Sequence, residues 1–373
     1  MKIASLVDSY SDFIQAATLS RALRSKHWEV LVHTGRHTEY FQARMYFEYV
    51  NLPEPDVNLE LKTGSHNTPL GELATRLERA LLDLRPDLVI VRGYSATALV
   101  GALIAARQTI PVARLGAGVR TYDKRLPEEL NSVLADRLAD VLFCGTRAAV
   151  QRLAEEGIAS GVHFSGDLVL DVVEQHLPVA QLHSSILQRV GLYPGYYLLA
   201  VVEHVSQAQS LDYLSGIVKA LNSIREPIIF PMSAQAQSAL DRTDLTLAPH
   251  VLPIEPIGYL DMLSLEKYAR AILTDADSLQ REAYCLAVPC ITLHDKTDVP
   301  ETVDAGWNRL VGGETDRIIE AVRDFLPPIE HPPLFGDGHA AEQIAQVLGT
   351  QPITFGQNYD HAVMALDPGL LVG

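Results

Sequence analysis

The stretch LTDADSLQREA, Leu273–Ala283, combines the end of an apolar strand with the start of a helix. A helix N-terminus carries unpaired N–H donors and a partial positive charge, so small residues at such a junction let a phosphate group approach the backbone. Here the turn holds Ala276, Asp277 and Ser278, which puts a carboxylate where a phosphate would sit. Asp277 followed by Gln280 fits a capping box, and we therefore predict that Asp277 caps this helix.

Other polar residues lie where helices begin or strands end. Glu128 and Glu129 follow Pro127 at a predicted helix start, where acids favour the helix dipole whether or not they do chemistry. His204 follows a predicted strand and can be a base or a hydrogen-bonded structural residue. Arg120 can hold an anion or pair with a neighbouring acid. The residue types alone leave these alternatives open.

Metal-binding patterns are weak in this chain. His33 and His37 flank Gly35 in a strand-to-turn segment, and we do not expect a metal site there. An odd number of cysteines, at spacings that suit neither a disulfide framework nor a zinc site, predicts small core residues. These cysteines are Cys144, Cys285 and Cys290.

Composition excludes several classes of partner. The formal net charge is −16 and the sequence pI is about 5.2, so the chain lacks the positive charge that holds nucleic acid or an anionic membrane. Met1-Lys2-Ile3 leads directly into a strand-like run, with no signal segment and no membrane-spanning stretch, which predicts a cytoplasmic protein. The length of 373 residues favours two domains.

Short apolar runs alternate with helical segments, as in parallel sheets wrapped by helices. The first set is KIASLV, EVLVHTG, PDLVIVRG, IPVARLG and ADVLFCG, and the second is YLLAVV, PIIFPM, VLPIEP, RAILTD and VPCITL. We predict an α/β protein with two doubly wound, Rossmann-like domains. Their predicted bounds are 1–174 and 190–345, joined by a connection over 175–189, and a segment over 346–373 returns to the first domain.

Seven stretches, in order over nearly the whole chain, resemble the UDP-N-acetylglucosamine 2-epimerase family: VLVHTGRH, PEELNSVLADRLADVLF, GDLVLD, EPIGYLDML, LTDADSLQREA, PCITLHDKTDVPETVDAGWNRLVGG and FGDGHAAEQI. The resemblance implies a glycosyltransferase-B fold, with two Rossmann-like domains facing a central cleft and a C-terminal helix that crosses back. It also implies interconversion of UDP-GlcNAc and UDP-ManNAc by elimination and re-addition of UDP, or hydrolysis to free ManNAc. No cofactor and no metal are implied.

The resemblance further implies a homodimer formed through the first domain. An aromatic stretch in that domain could serve as core or as interface, and we expect core. Its members are Tyr40, Phe41, Tyr46, Phe47 and Tyr49.

Some site positions of the family are retained. Glu128 matches a catalytic carboxylate, and His204 matches the histidine of the family's H-R-x-E-N element. The retained substrate-binding positions are His37, Arg120, Asp275, Gln280 and Glu282. Within this set, Glu282 matches a ribose-binding acid and His37 fits the family's G-Q-H element.

Other site positions are altered. The arginine of the family's G-T-R-P-E loop is replaced by Tyr10, the aspartate of G-D-T by Tyr94 and the glutamate of V-E-A-G-L-R by Gly116. In the second half, the altered positions are Ser233 in P-V-H, Ala276, Asp277 and Ser278 in S-G-G, and Val299 in R-D-x-T-E-R-P-E. Two of three expected carboxylates and several cations are therefore missing.

Three functions stay open. The chain can be an epimerase with rearranged catalytic residues, a sugar-nucleotide protein with another ligand or reaction such as glycosyl transfer, or a non-catalytic binding protein. Proton abstraction at C2 and expulsion of UDP need a tuned base, an acid and donors for the diphosphate, so we expect epimerisation to be very weak or absent. Asp277 can also be a simple cap in a protein that still binds UDP weakly.

Overall fold

A computed structural model describes residues 1–35, 54–61, 70–203, 210–243, 245–350 and 352–357. The chain divides into two compact units. Unit 1 contains residues 1–172 and the chain from Leu334 onward, and unit 2 contains Val173–Pro333. The first boundary falls inside a helix, and the second follows the proline-rich stretch PPIEHPP. None of the described helices is both long enough and apolar enough to cross a membrane.

Unit 1 is built on a seven-stranded parallel sheet of order β3-β2-β1-β4-β5-β6-β7. Its strands are β1 Lys2–Val7, β2 Trp28–His33, β3 Val57–Asn58, β4 Leu88–Arg92, β5 Val112–Leu115, β6 Val141–Cys144 and β7 Val162–Phe164. Its helices are α1 Tyr10–Arg24, α2 Leu70–Leu84, α3 Ala96–Arg107, α4 Pro127–Leu138, α5 Arg147–Glu155, the start of α6 Leu168–His183, and α14 Ala340–Thr350.

The sheet of unit 1 carries a hydrophobic core on each face. Leu73, Leu77 and Leu81 recur every four residues along α2 and form one buried stripe on the face that α3 and α4 also cover. On the other face, α14 packs against α1, with Ile344 and Leu348 in the same core. The two covered faces explain why the strands read as continuous apolar runs.

The retained stretches GDLVLD and FGDGHAAEQI meet in unit 1 and fasten α14. A Cβ on Gly336, whose φ is +94°, would lie 2.9 Å from the Gly166 Cα, so only glycine allows this approach. The two carboxylate oxygens of Asp171 accept the N–H groups of Ala340 at 3.0 Å and Ala341 at 2.8 Å. Asp171 therefore caps α14 from another helix, so these two stretches build the framework of unit 1.

Unit 2 has a six-stranded parallel sheet of order β10-β9-β8-β11-β12-β13. Its strands are β8 Leu198–Val201, β9 Ile228–Pro231, β10 Val251–Ile254, β11 Ala271–Thr274, β12 Cys290–Thr292 and β13 Asn308–Leu310. Its further helices are α7 Ile186–Val190, α8 Ser210–Ser223, α9 Ala234–Leu240, α10 Tyr259–Tyr268, α11 Asp277–Cys285, α12 Pro300–Asp304 and α13 Thr315–Asp324.

Both sheets have the strand order of a Rossmann fold, which confirms the predicted fold class. In such sheets, ligands bind beyond the carboxyl ends of the strands where the order reverses. We call these places switch points: β1 and β4 flank the switch point of unit 1, and β8 and β11 flank that of unit 2. Asp8 and Gly93 follow the strands in unit 1, and Val202 and Asp275 follow those in unit 2.

Candidate functional site

Asp275 joins the two strand ends at the switch point of unit 2. Its Oδ1 accepts the Glu203 N–H at 2.7 Å, and the Tyr213 hydroxyl lies 3.3 Å from its Oδ2. That hydroxyl also donates to the Leu293 carbonyl at 2.5 Å. The buried Asp275 carboxylate thus fixes the loops on which a ligand would rest, and its direct contact with substrate remains a prediction.

The start of α11 differs from the predicted capping box. The helix begins at Asp277, and its N-cap residue is Ala276, which makes no side-chain cap. Asp277 Oδ1 instead accepts the Gln280 Nε2–H at 3.3 Å. The prediction was wrong because Gln280 Oε1, which would have to accept the N-cap N–H, is already bonded to two other side chains. The N-cap residue of α11 therefore supplies no side-chain cap.

The partners of Gln280 belong to a buried polar network. Its Oε1 accepts from Thr297 Oγ1 at 2.7 Å and from Asn308 Nδ2 at 3.2 Å. Asn308 in turn accepts from Thr292 Oγ1 at 2.7 Å and donates to Thr302 Oγ1 at 3.2 Å. Gln280 thus ties α11 to β13 and to the loop before α12, and its predicted substrate contact would be additional to this structural role.

The loop HDKTDVPE, residues 294–301, is the one in which we predict that the arginines of the family pattern are replaced. Val299 lies at the N-cap position of α12 with its side chain buried, so this position cannot supply a cation. The neighbouring Asp298 is ion-paired with Arg281 of α11. The positive charge of Arg281 is therefore neutralised within the protein.

Glu282, the predicted ribose-binding acid, lies half-buried on α11. The Tyr259 hydroxyl of α10 donates to its Oε1 at 2.9 Å. The pKa of Glu282 is raised to about 7, because burial and the charge of Glu203 outweigh the lowering effect of the Tyr259 hydrogen bond. The carboxyl can accordingly change its charge near neutral pH.

Glu266, on the same helix as Tyr259, is fully buried, and neither of its carboxylate oxygens has a hydrogen-bond partner among the described residues. Burial, together with the charge of Glu282, raises the pKa of Glu266 well above its usual value. An isolated carboxyl in this position is kept in its protonated, neutral form because an unpaired buried charge is costly.

At the switch point of unit 1, side chains of the protein bond to the start of α1 and to the strand ends. Ser9 and Asp12 form a capping box at the start of α1: the Asp12 N–H donates to Ser9 Oγ at 3.2 Å, and the Ser9 N–H donates to Asp12 Oδ2 at 3.0 Å. The buried Arg92 donates to the Asp12 carbonyl at 3.0 Å and to Ser5 Oγ at 2.7 Å. Tyr10, at the altered arginine position, is the first residue of α1.

Tyr94 and Gly116, the two positions predicted to have lost carboxylates, follow β4 and β5. The half-buried Tyr94 accepts a hydrogen bond from Asn131 Nδ2 on its carbonyl at 3.1 Å, and the following Ser95 caps α3. Gly116 has a φ of +71°, and a Cβ built on it would meet no atom within 4 Å. Space for a larger side chain therefore exists at Gly116, but the left-handed backbone favours glycine.

The two acids of the PEEL stretch occupy different environments. Glu128 is exposed in the first turn of α4 and makes no hydrogen bond or ion pair within the described part of the chain. Glu129 is buried, and its Oε2 accepts from the Thr121 N–H at 2.6 Å and from Thr121 Oγ1 at 3.0 Å. Only Glu128 is available to a ligand, and its catalytic role remains a prediction.

Arg120 is buried in an ion-pair network. It donates to Asp136 Oδ2 at 2.8 Å and to both carboxylate oxygens of Glu156 at 2.8 and 2.7 Å. Burial opposes its charge, but the hydrogen bonds and charges of these two acids raise its pKa overall. Arg114 donates to the other oxygen of Asp136 at 3.1 Å. Because these acids already accept hydrogen bonds from the Arg120 guanidinium, few of its N–H groups are left for the predicted contact with substrate.

The remaining predicted positions divide between caps and undescribed residues. Ser233, where the family has a histidine, caps α9 by accepting the Ala236 N–H at 3.1 Å. His37, His204 and the aromatic stretch 40–49 lie outside the described residues. Within the described ranges, no cluster of three or more potential metal ligands occurs.

Sequence reasoning missed Tyr259 and Glu266. A periodic signal was available for both, because Tyr259 and Glu266 are seven residues apart in a helical pattern that also places Leu263 inward. The bond from Tyr259 to Glu282 joins two different helices, so spacing alone could not reveal it.

Comparison with known proteins fits this geometry. The UDP-N-acetylglucosamine 2-epimerase family profile matches residues 21–349. A UDP-N-acetylglucosamine 2-epimerase homolog from Methanococcus maripaludis is 35% identical over 93% of this chain and 99% of its own length. A UDP-2,3-diacetamido-2,3-dideoxy-D-glucuronate 2-epimerase from Pseudomonas aeruginosa is 32% identical over 93% and 99% of the two chains.

Solved structures agree with the sequence comparison. The crystal structure of Methanocaldococcus jannaschii UDP-GlcNAc 2-epimerase in complex with UDP-GlcNAc and UDP has a TM-score of 0.88 and 32% identity. The match covers 94% of this chain and 100% of that one. The chain therefore belongs to the UDP-N-acetylglucosamine 2-epimerase family.

Proposed function

We propose that this chain binds a UDP-sugar through unit 2 and that its 2-epimerase activity is very weak or absent. The proposal rests on one difference between the units: unit 2 keeps groups that can bind a nucleotide, whereas unit 1 lacks two of the carboxylates expected for catalysis. In unit 2, the N-terminus of α11 has no side-chain cap, and Glu282 lies on the same helix. In unit 1, two catalytic carboxylate positions are Tyr94 and Gly116.

Unit 2 has features that suit a nucleoside diphosphate. The N-terminal N–H groups and the dipole of α11 favour an anion at the end of β11. A carboxylate such as Glu282 accepts hydrogen bonds from hydroxyl groups such as those of ribose. Asp277, in the first turn, opposes a diphosphate by its like charge and weakens binding relative to a glycine at that position.

Unit 1 lacks the groups that epimerisation needs. Removal of the C2 proton and departure of UDP require a base and an acid of matched pKa, and loss of one such group typically costs about 10²- to 10⁴-fold in rate. Glu128 is the retained carboxylate, and it is exposed on α4. A single exposed acid does not replace the missing groups.

The relatives support this choice of ligand class. The Methanocaldococcus jannaschii enzyme was crystallised with UDP-GlcNAc and UDP, and the Pseudomonas aeruginosa relative is named for a different UDP-sugar. A UDP-linked acetamido sugar is therefore the class to test first.

We also propose a homodimer and a cytoplasmic location, by analogy with the family. Light scattering that reports a strict monomer would refute the dimer.

The test combines binding with isotope exchange. Calorimetric titration with UDP-GlcNAc is expected to show binding, with GDP-mannose as a control nucleotide sugar that should bind more weakly. NMR of UDP-GlcNAc incubated with the protein in deuterated water is expected to show no deuterium at C2. Absence of binding would refute the ligand, and C2 exchange at the rate of an active family member would refute the loss of activity.

A further inference from the structure

We propose that Tyr259 is a positioning residue for the Glu282 carboxylate, and that UDP-sugar binding by unit 2 consequently strengthens as the pH rises through neutrality. This inference rests on the proposed function, because it concerns the same ligand. It adds a residue that the sequence comparison did not single out and a condition under which the site works.

The geometry fixes the Tyr259 hydroxyl on Glu282. Tyr259 is the first residue of α10, and its side chain is buried. The ring of His176 packs edge-on against it, with ring centroids 5.9 Å apart and an interplanar angle of 79°. Its hydroxyl donates to Glu282 Oε1 at 2.9 Å. The ring is thus held by packing, and the hydroxyl can be removed without disturbing its position.

The surroundings of Glu282 offer its charge little other support. No salt bridge to Glu282 occurs among the described residues, and Arg281 beside it is paired with Asp298. Glu203 adds a like charge that raises the Glu282 pKa. The described groups with a stated interaction here are Tyr259 and Glu203, which act on Glu282, Glu266, which is coupled to it by charge, and His176, which packs on Tyr259.

The charge state of Glu282 decides what it can accept. An ionised carboxylate has acceptor sites on both oxygens, so it can hold two ribose hydroxyls while one oxygen also receives the Tyr259 hydrogen bond. A protonated carboxyl loses part of that capacity. Because burial brings the Glu282 pKa to about 7, the ionised and binding-competent form gains population as the pH rises through that value.

Two substitutions move this transition in opposite directions. Tyr259→Phe removes a hydrogen bond to the charged form, so the pKa of Glu282 rises and the binding profile moves to higher pH. Glu203→Gln removes a like charge, so the pKa falls and the profile moves to lower pH. A general loss of folding would not separate the two variants in this way.

The experiment is calorimetric titration with UDP-GlcNAc over a pH series that spans neutrality. UDP-GlcNAc is the suitable probe because its esterified diphosphate has no group that titrates near neutrality. Tyr259→Phe is expected to lower the affinity at neutral pH by about tenfold, the loss typical of a hydrogen bond to a charged group. Glu282→Gln is expected to bind weakly with a flat pH profile.

Tyr284→Phe is the matched control. It removes a hydroxyl from the same helix, α11, that donates to the Pro332 carbonyl at 2.6 Å. Its pH midpoint should equal that of the unmodified protein. Equal midpoints for Tyr259→Phe and the unmodified protein, or the same shift in Tyr284→Phe, would overturn the inference while leaving the proposed function intact. No UDP-GlcNAc binding at any pH would instead refute the proposed function.

Discussion

At their switch points, the two units share one strand order but leave different groups exposed. In unit 1, Ser9 with Asp12 caps α1, and Ser95 caps α3. In unit 2, α11 starts from Ala276 with no side-chain cap. The N–H groups of a helix that follows a Rossmann-type strand can therefore bond to side chains of the protein or remain available to an anion. The strand order does not decide which of the two occurs.

Buried acids of the two units also differ in whether they have hydrogen-bond partners. Asp12 and Asp171 in unit 1 accept backbone N–H groups, whereas Glu266 in unit 2 has no partner among the described residues. Unit 1 uses its buried carboxylates to fasten helices. Unit 2 also has a buried acid that ties loops together, Asp275, but its Glu266 makes no such bond among the described residues and lies near Glu282, the acid of the proposed ligand site.

The largest expected effect tests whether unit 1 has kept its framework. Gly336→Ala should lower the free energy of unfolding by about 2–4 kcal/mol, because it combines left-handed strain with a backbone clash. Gly157→Ala is the matched control, since Gly157 has a φ of +76° but open space around its Cβ. Urea unfolding should show the larger loss for Gly336→Ala. Equal losses would mean that the contact with Gly166 is unimportant.

A second effect concerns the unpartnered acid of unit 2. Glu266→Met should raise the stability at neutral pH by about 1–3 kcal/mol, because it removes a buried polar group without a partner. The folded-state pKa of Glu266 is raised, so its stability contribution is fully present below the unfolded-state pKa and is lost as the pH rises towards the folded-state value. Thermal unfolding across a pH series should therefore show the advantage of the variant growing with pH. A constant difference would contradict this account.

The two kinds of helix start can be tested by removing the N-cap side chain of α1 and adding one to α11. Ser9→Ala should cost unit 1 about 0.5–2 kcal/mol by removing the cap of α1. Ala276→Asp should stabilise unit 2 by a similar amount while weakening UDP-GlcNAc binding, because the new cap carries a like charge into the anion site. Ala276→Asn supplies the cap without the charge and should weaken binding less. Stronger binding by Ala276→Asp would show that the diphosphate lies elsewhere.

The smallest expected effect distinguishes binding from chemistry. Glu128→Gln removes the carboxylate that we predict to be catalytic from an exposed position on α4. Because the proposed binding groups lie in unit 2, UDP-GlcNAc affinity measured by calorimetry should change less than about twofold, a difference below 0.5 kcal/mol. A large loss of affinity would place the sugar on unit 1.

The sequence predicted the elements well because parallel strands with two covered faces leave continuous apolar runs. That Tyr94 and Gly116 replace carboxylates of the family depends on position alone and stays a prediction. The predicted N-cap of α11 was wrong by one residue, since the helix begins at Asp277 and not after it. The Gln280 amide, which a capping box would need, is bonded to distant side chains that sequence spacing does not reveal. The partners of Arg120 lie at Asp136 and Glu156, and such distant pairs leave no local pattern.

The capping of α14 by Asp171 has a consequence for the order of synthesis. Unit 2 is inserted between these two parts of unit 1, so α14 is translated only after all of unit 2. The core on the α1 face of unit 1 stays incomplete during that interval, with Leu19 and Leu23 lacking their α14 partners. Unit 2, whose sheet is continuous in sequence, can fold on the ribosome before unit 1 is finished.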